Sequence, residues 1–232
     1  ILPGPLASFG RALETRLAPP FYERTAVLTP SDSTRDELLE LGFRPDKVLA
    51  VPNGVSSAFA PSPSGIDAER SSSPLVVAVA RFAPVKRFDE LIRACVVARA
   101  RVPDLRVVLV GSGPMQDELT ALVASLDAGS WITFPGYLHH EELVALYRKA
   151  WIVASASLAE GWGLTLTEAA ACGTPAVATD INGHRSSVVH GETGVLAPLE
   201  GLGTAIADVL TNDELRARLA RAALARAQTL TW

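Results

Sequence analysis

Two glutamates flank a glycine-rich turn in the C-terminal half of the sequence. Glu160 precedes the turn formed around Gly161 and Gly163, and Glu168 follows about one helical turn into the next segment. Glycines let backbone N–H groups approach a ligand closely, and the start of a helix directs unpaired N–H groups at the same point, which favours phosphate. Carboxylates repel phosphate but accept hydrogen bonds from hydroxyls. The pattern therefore predicts a site for a phosphate-bearing ligand with hydroxyls, as in a sugar.

The segments on either side of the turn predict how it is held. Residues 151–156 form an apolar run that predicts a buried strand. Residues 164–172 are helix formers, and Gly173 and Pro175 end that helix. The order of strand, loop and helix places the turn between two regular elements. For the two acids taken alone, helix capping and a solvated helix face stay open as another interpretation.

Strand and helix patterns alternate over residues 74–232. The predicted strands are 75–80, 105–110, 132–134, 151–155 and 176–179, and the predicted helices are 88–100, 115–126, 141–149, 165–172 and a helical region from 202. Continuous apolar strands are typical of a parallel sheet covered on both faces. We therefore predict an α/β fold built on a Rossmann-like, doubly wound parallel sheet. Such sheets bind ligands beyond the carboxyl ends of their strands, so the loops after strands are the candidate site.

The first part of the chain is less regular. Its predicted elements are a helix over 6–17 that ends at Pro19-Pro20, strands over 25–29 and 48–51, and between them a helix that begins near Ser31. Residues 56–73 are rich in serine, proline and glycine, which predicts a linker. The chain therefore divides into residues 1–55, a linker of residues 56–73 and a domain of residues 74–232.

The whole stretch of residues 159–175 carries a family resemblance. Its two acids are spaced Glu-x7-Glu with Gly-x-Gly-Leu between them, and Glu-Ala-x-Ala-x-Gly-x-Pro follows. This string resembles the nucleotide-sugar site of retaining GT-B glycosyltransferases of family 4. The resemblance implies that residues 74–232 are the donor-binding half of a GT-B fold and that residues 1–55 are a remnant of the acceptor-side domain.

The same resemblance implies an activity. Such enzymes transfer a sugar from a UDP- or GDP-sugar to a glycan, a glycolipid or a small molecule, without a cofactor. The acceptor would bind the missing N-terminal domain, so this chain alone is expected to bind the donor and to be inactive. The alternatives are a non-catalytic nucleotide-binding or scaffold domain of the same fold, and a sucrose-synthase or phosphorylase type of GT-B enzyme.

Several residues receive roles from the resemblance. Glu168 would bind the ribose hydroxyls, and Glu160 would contact the transferred sugar near its reacting carbon. The backbone N–H groups that would hold the sugar and the distal phosphate belong to Gly161, Trp162, Gly163 and Leu164. Thr165 is either a phosphate contact or a helix cap.

Two cations follow the first strand of the domain. The resemblance assigns Arg81 and Lys86 to the donor diphosphate. The sequence contains no Asp-x-Asp pair that would clamp a divalent metal, so these two cations and a helix N-terminus are expected to supply the positive charge instead. Solvation of the next helix is the alternative for Lys86.

Two further loops border the expected nucleotide. Gly111 and Gly113 either lie near the nucleotide or only form a tight turn after the second strand, and both roles stay open. Tyr137 and Leu138 either border the base or pack locally. Residues 191–196 resemble a hairpin of the family and are predicted to be structural. Many relatives carry Gly-Gly-x-x-Glu near Asn182, and this chain lacks that acid.

Composition limits the classes of function. The chain has 232 residues, 48% of them hydrophobic, and a net charge of −4, which argues against sequence-independent nucleic-acid binding. Two cysteines among apolar neighbours predict buried thiols in a reducing compartment. The start lacks Met and a signal-peptide layout, so we expect a piece of a longer protein. The expected location is the cytoplasm, with peripheral association of the full enzyme at the inner face of the membrane.

Overall fold

The computed structural model describes residues 4–231, except for the side chains of residues 5–7 and 11. The chain divides into two compact units, Ile1–Asn53 and Gly54–Trp232. Within the described residues, no helix is both long enough and apolar enough to cross a membrane.

The first unit contains a helical stretch and a small sheet. Its elements are α1 (Gly4–Ala12), a π-helical segment (Leu13–Leu17), α2 (Ala18–Phe21), β1 (Val27–Thr29), α3 (Asp32–Glu40) and β2 (Val48–Ala50). Strands β1 and β2 pair in parallel. Ser31 caps α3 by accepting a hydrogen bond from the Thr34 N–H, as its sequence predicts. The predicted helix end at Pro19-Pro20 is wrong, because these prolines stand at the start of α2, where a helix needs no N–H donor.

The second unit is built on one six-stranded sheet. Its strands are β3 (Leu75–Val79), β4 (Arg106–Val110), β5 (Ile132–Gly136), β6 (Ile152–Ser155), β7 (Ala176–Thr179) and β8 (Gly194–Ala197). They lie in the order β5-β4-β3-β6-β7-β8, and every pair is parallel. This order confirms the predicted Rossmann-like, doubly wound sheet.

The structure differs from two sequence predictions for this sheet. The predicted hairpin at residues 191–196 is wrong, because β8 pairs in parallel with β7 after the turn at Gly191. Strand β5 continues past its predicted end through Pro135, which is tolerated since β5 is an edge strand.

Helices cover both faces of the sheet. They are α4 (Phe88–Arg99), α5 (Gln116–Ser125), α6 (His140–Lys149), α7 (Leu164–Ala171), α8 (Asn182–Ser187), α9 (Leu202–Thr211) and α10 (Asp213–Ala227). Alternate residues of β3 enter opposite cores: Val76 packs in the cluster that holds α4 and α9, and Val77 in the cluster that holds α6 and α7. Both cysteines are buried and unpaired, as predicted.

The segment between the first unit and β3 packs onto the second unit. Phe59 is only 9% exposed and lies with its ring centroid 4.4 Å from that of His140. The Arg70 guanidinium donates to the carbonyl of Gly173 at 3.0 Å and to the Thr174 hydroxyl at 2.9 Å. These contacts order residues that composition alone predicts as a linker.

Candidate functional site

The site lies where the connections of the sheet diverge. Strands β3 and β6 are neighbours, and the chain leaves β3 toward β4 on one side and leaves β6 toward β7 on the other. This divergence opens a crevice at the carboxyl ends of the strands. The loops after β3 and β6 meet there, since the Leu158 N–H donates to the Val85 carbonyl at 2.8 Å.

The glycine loop after β4 packs tightly against the loop after β3. A Cβ added at Gly111, whose φ is +136°, would lie 2.0 Å from the Ala80 carbonyl oxygen, and one at Gly113 would lie 2.4 Å from that of Phe82. Only glycine permits this approach of two backbones. The tight turn is therefore confirmed, and both glycines also border the cavity described next, so their place near the nucleotide stays a prediction.

A cavity of about 820 Å³ opens at this edge of the sheet. The predicted site residues that line it are Arg81, Gly111, Gly113, Tyr137, Leu138 and Glu168. Sequence reasoning missed other walls of the cavity, notably Ser56 and Phe59, which come from the predicted linker. Tyr137 is 76% exposed and so presents most of its ring to solvent.

Glu168 is a partly buried carboxyl in this cavity. Burial raises its pKa to about 7, while the hydrogen bond from the Tyr147 hydroxyl acts to lower the pKa. That hydroxyl lies 3.4 Å from Glu168 Oε2 and belongs to a fully buried ring on α6. Glu168 therefore changes its charge near neutral pH, and it accepts hydrogen bonds on both oxygens once ionised.

Glu160 and Lys86 form an ion pair between the two loops. Lys86 Nζ lies 2.5 Å from Glu160 Oε1, and both side chains are mostly buried. Lys86 therefore does not merely solvate the start of α4. Neither glutamate caps α7, so helix capping is the wrong interpretation of the two acids, and both side chains are partly buried.

The glycine turn presents free N–H groups at the start of α7. Gly163 has a φ of +93° and is the N-cap, and no side chain caps the helix. The alternative role of Thr165 as a cap is therefore wrong. None of the backbone N–H groups of residues 161–164 donates to a residue that the structure describes. Such groups suit an anionic ligand.

Trp162 behaves differently from the other residues of the turn. Its side chain is 5% exposed, and its Nε1–H has no acceptor within the described part of the chain. The indole thus packs beneath the turn, while Leu164, the first residue of α7, is 43% exposed.

His184 is a buried residue near the site that the sequence patterns did not indicate. It lies on α8, an element that was not predicted, and its ring is fully buried. Burial lowers its pKa, so the ring is neutral at pH 7. Nδ1 lies 2.8 Å from the Thr179 carbonyl, which only accepts, so Nδ1 carries the proton and Nε2 is an acceptor. Nε2 has no partner among residues 4–231.

The predicted residues thus fall into two adjoining groups. One is the cavity with Arg81 and Glu168, and the other is the Glu160–Lys86 pair beside the N–H groups of the turn. Within the described residues, no three His, Cys, Asp or Glu side chains are grouped so that they could hold a metal ion.

Comparison with known proteins gives a family and several relatives. Residues 65–226 match the model of the family described as glycosyl transferases group 1. A D-inositol 3-phosphate glycosyltransferase of Acidothermus cellulolyticus is 34% identical over 215 residues, covering 84% of this chain and 48% of that protein. A GDP-mannose-dependent alpha-(1-6)-phosphatidylinositol monomannoside mannosyltransferase of Mycolicibacterium smegmatis is 33% identical over 187 residues, covering 73% and 49%.

Solved structures share the fold. HepE of Anabaena, crystallised with UDP and glucose, has a TM-score of 0.81 and is 26% identical, covering 93% of this chain and 62% of that one. The chain spans about half the length of the curated relatives that it matches.

Proposed function

The chain belongs to the glycosyl transferases group 1 family, and from that premise we propose that it is the donor-binding half of a retaining glycosyltransferase. The observation that carries this proposal is the meeting of three kinds of group at one edge of the sheet. Glu168 lies on α7 and lines the cavity, and the exposed Arg81 lies on the loop after β3. Glu160 lies on the loop after β6, beside N–H groups that donate to no described residue. A nucleotide-diphosphate sugar carries the matching groups, namely ribose hydroxyls, a diphosphate and sugar hydroxyls.

The proposed donor would extend from the cavity to the glycine turn of residues 161–164. Glu168 accepts from the ribose hydroxyls, and the base lies against Tyr137, Leu138 and the glycine loop of residues 111–113. Arg81 and Lys86 offset the charge of the diphosphate together with the N–H groups of residues 161–164 and the hydroxyl of Thr165. Glu160 contacts the transferred sugar.

The proposed reaction needs charge stabilisation more than a base. The bond between the anomeric carbon and the diphosphate oxygen breaks, and its electron pair goes to the diphosphate. The acceptor oxygen bonds to the same face of the sugar, so the configuration is retained, and its proton passes to the leaving phosphate. The two cations and the N–H groups stabilise the leaving charge without a metal.

The acceptor is proposed to bind outside this chain. The relatives are about twice as long as the part that matches, so we expect this chain alone to bind the donor and to transfer sugar poorly. The name of the Mycolicibacterium smegmatis relative includes GDP-mannose, and HepE was crystallised with UDP and glucose, which supports a UDP- or GDP-sugar as the donor. The name of the Mycolicibacterium smegmatis relative supports a glycolipid acceptor, with glycans and small molecules as other candidates. A glycolipid acceptor would place the full enzyme at a membrane surface, and we propose peripheral association with the cytoplasmic face.

Calorimetric titration tests donor binding. UDP, GDP, ADP and their common sugar conjugates are titrated into the chain, first without metal and then with magnesium. We expect one family of nucleotides to bind equally well in both conditions. Arg81→Ala should lower that affinity about 10- to 100-fold, since a charge-assisted hydrogen bond contributes about 1.5–3 kcal/mol. Arg93→Ala is the matched control, because Arg93 is exposed on α4 and lies away from the cavity.

Three results would contradict parts of the proposal. Absence of binding by all nucleotides would argue against a preformed donor site. Equal losses for Arg81→Ala and Arg93→Ala would remove Arg81 from the site. Efficient sugar transfer to an added acceptor by this chain alone would show that it is more than the donor-binding half.

A further inference from the structure

The Glu160 carboxylate is held through one of its two oxygens. Lys86 Nζ lies 2.5 Å from Oε1, and the Ser157 hydroxyl donates to the same oxygen at 2.8 Å. No described residue donates to Oε2. An ionised carboxylate accepts on both oxygens, so Oε2 keeps its full capacity for another donor.

Ser157 is itself fixed in place. Its side chain is 2% exposed, and its carbonyl accepts from the Thr179 hydroxyl at 2.8 Å. The Ser155 hydroxyl lies 3.2 Å from the Ser157 hydroxyl. Because Ser157 gives its only proton to the carboxylate, Ser155 must be the donor of that second bond. The Ser155 hydroxyl therefore donates to the Ser157 hydroxyl, which donates to Glu160.

Helix α8 holds Thr179, the residue that donates to the Ser157 carbonyl. His184 Nδ1 donates to the Thr179 carbonyl at 2.8 Å, so the residue that holds Ser157 is held in turn. The start of α8 also lies against the backbone of Glu160, where a Cβ on Gly183 would be 2.1 Å from the Glu160 carbonyl oxygen. Residues at the end of β7 and on α8 thus restrain Ser157 and the backbone of Glu160, and Ser157 in turn holds the carboxylate.

We propose that Ser157 is a positioning residue that, with Lys86, holds Glu160 Oε1 so that Oε2 faces the transferred sugar. This inference rests on the proposed function, because it assigns the open oxygen to a hydroxyl of the donor sugar. Ser157 would favour the nucleotide sugar over the bare nucleoside diphosphate, which has no group at that position. The sequence motif did not indicate this role, since Ser157 lies before the two acids and outside their spacing.

The test compares two ligands on the same variants. UDP with UDP-glucose, and GDP with GDP-mannose, are titrated into the wild-type chain, Ser157→Ala, Glu160→Gln and the double variant. We expect Ser157→Ala to lower affinity for the sugar conjugate about tenfold and to leave affinity for the diphosphate unchanged, since a hydrogen bond to a charged group contributes about 1.5 kcal/mol or more. In the Glu160→Gln background, Ser157→Ala should cost nothing further, because Ser157 acts through Glu160.

A matched control separates positioning from stability. Thr174→Val also removes a buried hydroxyl, one that donates to the Tyr147 carbonyl at 2.6 Å, but Thr174 precedes β7 at the opposite edge of the sheet. It should change the affinities for the diphosphate and for the conjugate by the same factor. If Ser157→Ala does not fold, Ser157→Cys fills the same space with a weak donor and should lose selectivity in the same direction.

The outcomes distinguish this inference from the proposed function. If the wild-type chain binds neither ligand pair, the donor site itself is refuted and the inference falls with it. If the wild-type chain binds a pair but Ser157→Ala weakens both members equally, only the inference is refuted. An additive loss in the double variant would also refute it, because Ser157 would then act independently of Glu160.

Discussion

For the side chain of Glu168, the proposed role in donor binding opposes the contribution to folding stability. In the unfolded chain its pKa is near 4.5, and burial raises the pKa to about 7 in the folded state. Between these values the folded state holds a proton that the unfolded state has lost. Folding stability therefore falls as the pH rises through this window, because the ionised carboxylate is penalised only in the folded state. The same ionised carboxylate is the better acceptor for ribose hydroxyls.

Glu168→Gln should separate these two effects. We expect the variant to unfold at a higher temperature than the wild type at pH 8, with a smaller gain at pH 5, where the wild-type side chain is already neutral when folded. At pH 8 it should bind the nucleotide sugar about tenfold more weakly or worse, since a hydrogen bond to a charged group is lost. Thermal unfolding and titration at both pH values measure this. Glu192→Gln, in an exposed turn, is the control and should change neither quantity.

In the wild type, donor affinity should itself depend on pH. A ligand that prefers the ionised Glu168 binds more tightly as the pH rises through 7, by about tenfold between pH 6 and pH 8. Titration with a nucleotide sugar measures this without interference, because its diphosphate has no free terminal phosphate to titrate. Glu168→Gln should flatten the profile, and an equally steep profile in that variant would show that another group is responsible.

At the scale of elements, loops from different strands form the site by packing backbone against backbone. Gly111 and Gly113 bring the loop after β4 onto the loop that carries Arg81. The N–H of Phe82 donates to the Ser112 carbonyl at 2.9 Å, and the N–H of Met115 donates to the Phe82 carbonyl at 3.1 Å. The position of Arg81 in the cavity thus depends on glycines about thirty residues away.

Gly113→Ala should disturb both the fold and the site. Its new Cβ would lie 2.4 Å from the Phe82 carbonyl oxygen, so the two loops must separate. We expect a loss of about 1–3 kcal/mol in the free energy of unfolding, as is typical of overpacking, together with weaker nucleotide binding. Denaturant unfolding and titration measure the two effects. Gly129→Ala is the control, because a Cβ there meets nothing within 4 Å; a similar loss in both variants would contradict the packing argument.

At the scale of the molecule, the second unit contains all the residues of the two hydrophobic clusters that enclose its sheet. The first buried residue of these clusters along the chain is Phe59, and the last is Ala227. The segment before β3 belongs to this unit, since Phe59 fills a core position and Arg70 binds the turn before β7. The wall of the cavity also includes Phe59 and Ser56.

Truncation tests where the folding unit begins. A protein of residues 54–232 should unfold in one cooperative transition and bind the same nucleotide as the whole chain, within about threefold. A protein that begins at residue 74 loses Phe59, whose packing contributes about 3–5 kcal/mol, and should be markedly less stable and bind more weakly. Calorimetry of the three proteins measures this. Equal behaviour of the two truncated forms would show that residues 54–73 are a linker only.

Local sequence patterns were enough to determine the class of fold and to predict where the candidate site lies. The apolar strands, the alternation with helices and the glycine turn between Glu160 and Glu168 are all contained within short stretches, so their periodicity and order reveal them. The predicted sheet was confirmed for this reason. The helix end at Pro19-Pro20 and the hairpin at residues 191–196 were wrong, because proline position within a helix and strand pairing depend on neighbours that a local pattern does not include.

Only the tertiary structure decided which side chains lie together. It paired Lys86 with Glu160 across 74 positions of sequence and placed Phe59 in the wall of the cavity. It also brought His184 on α8 into contact with Thr179, which donates to the Ser157 carbonyl. These contacts follow from the order of strands in the sheet and from the packing of loops at its carboxyl edge. Residues that are distant along the chain meet there because the whole sheet buries its apolar strands, and no single segment specifies that arrangement.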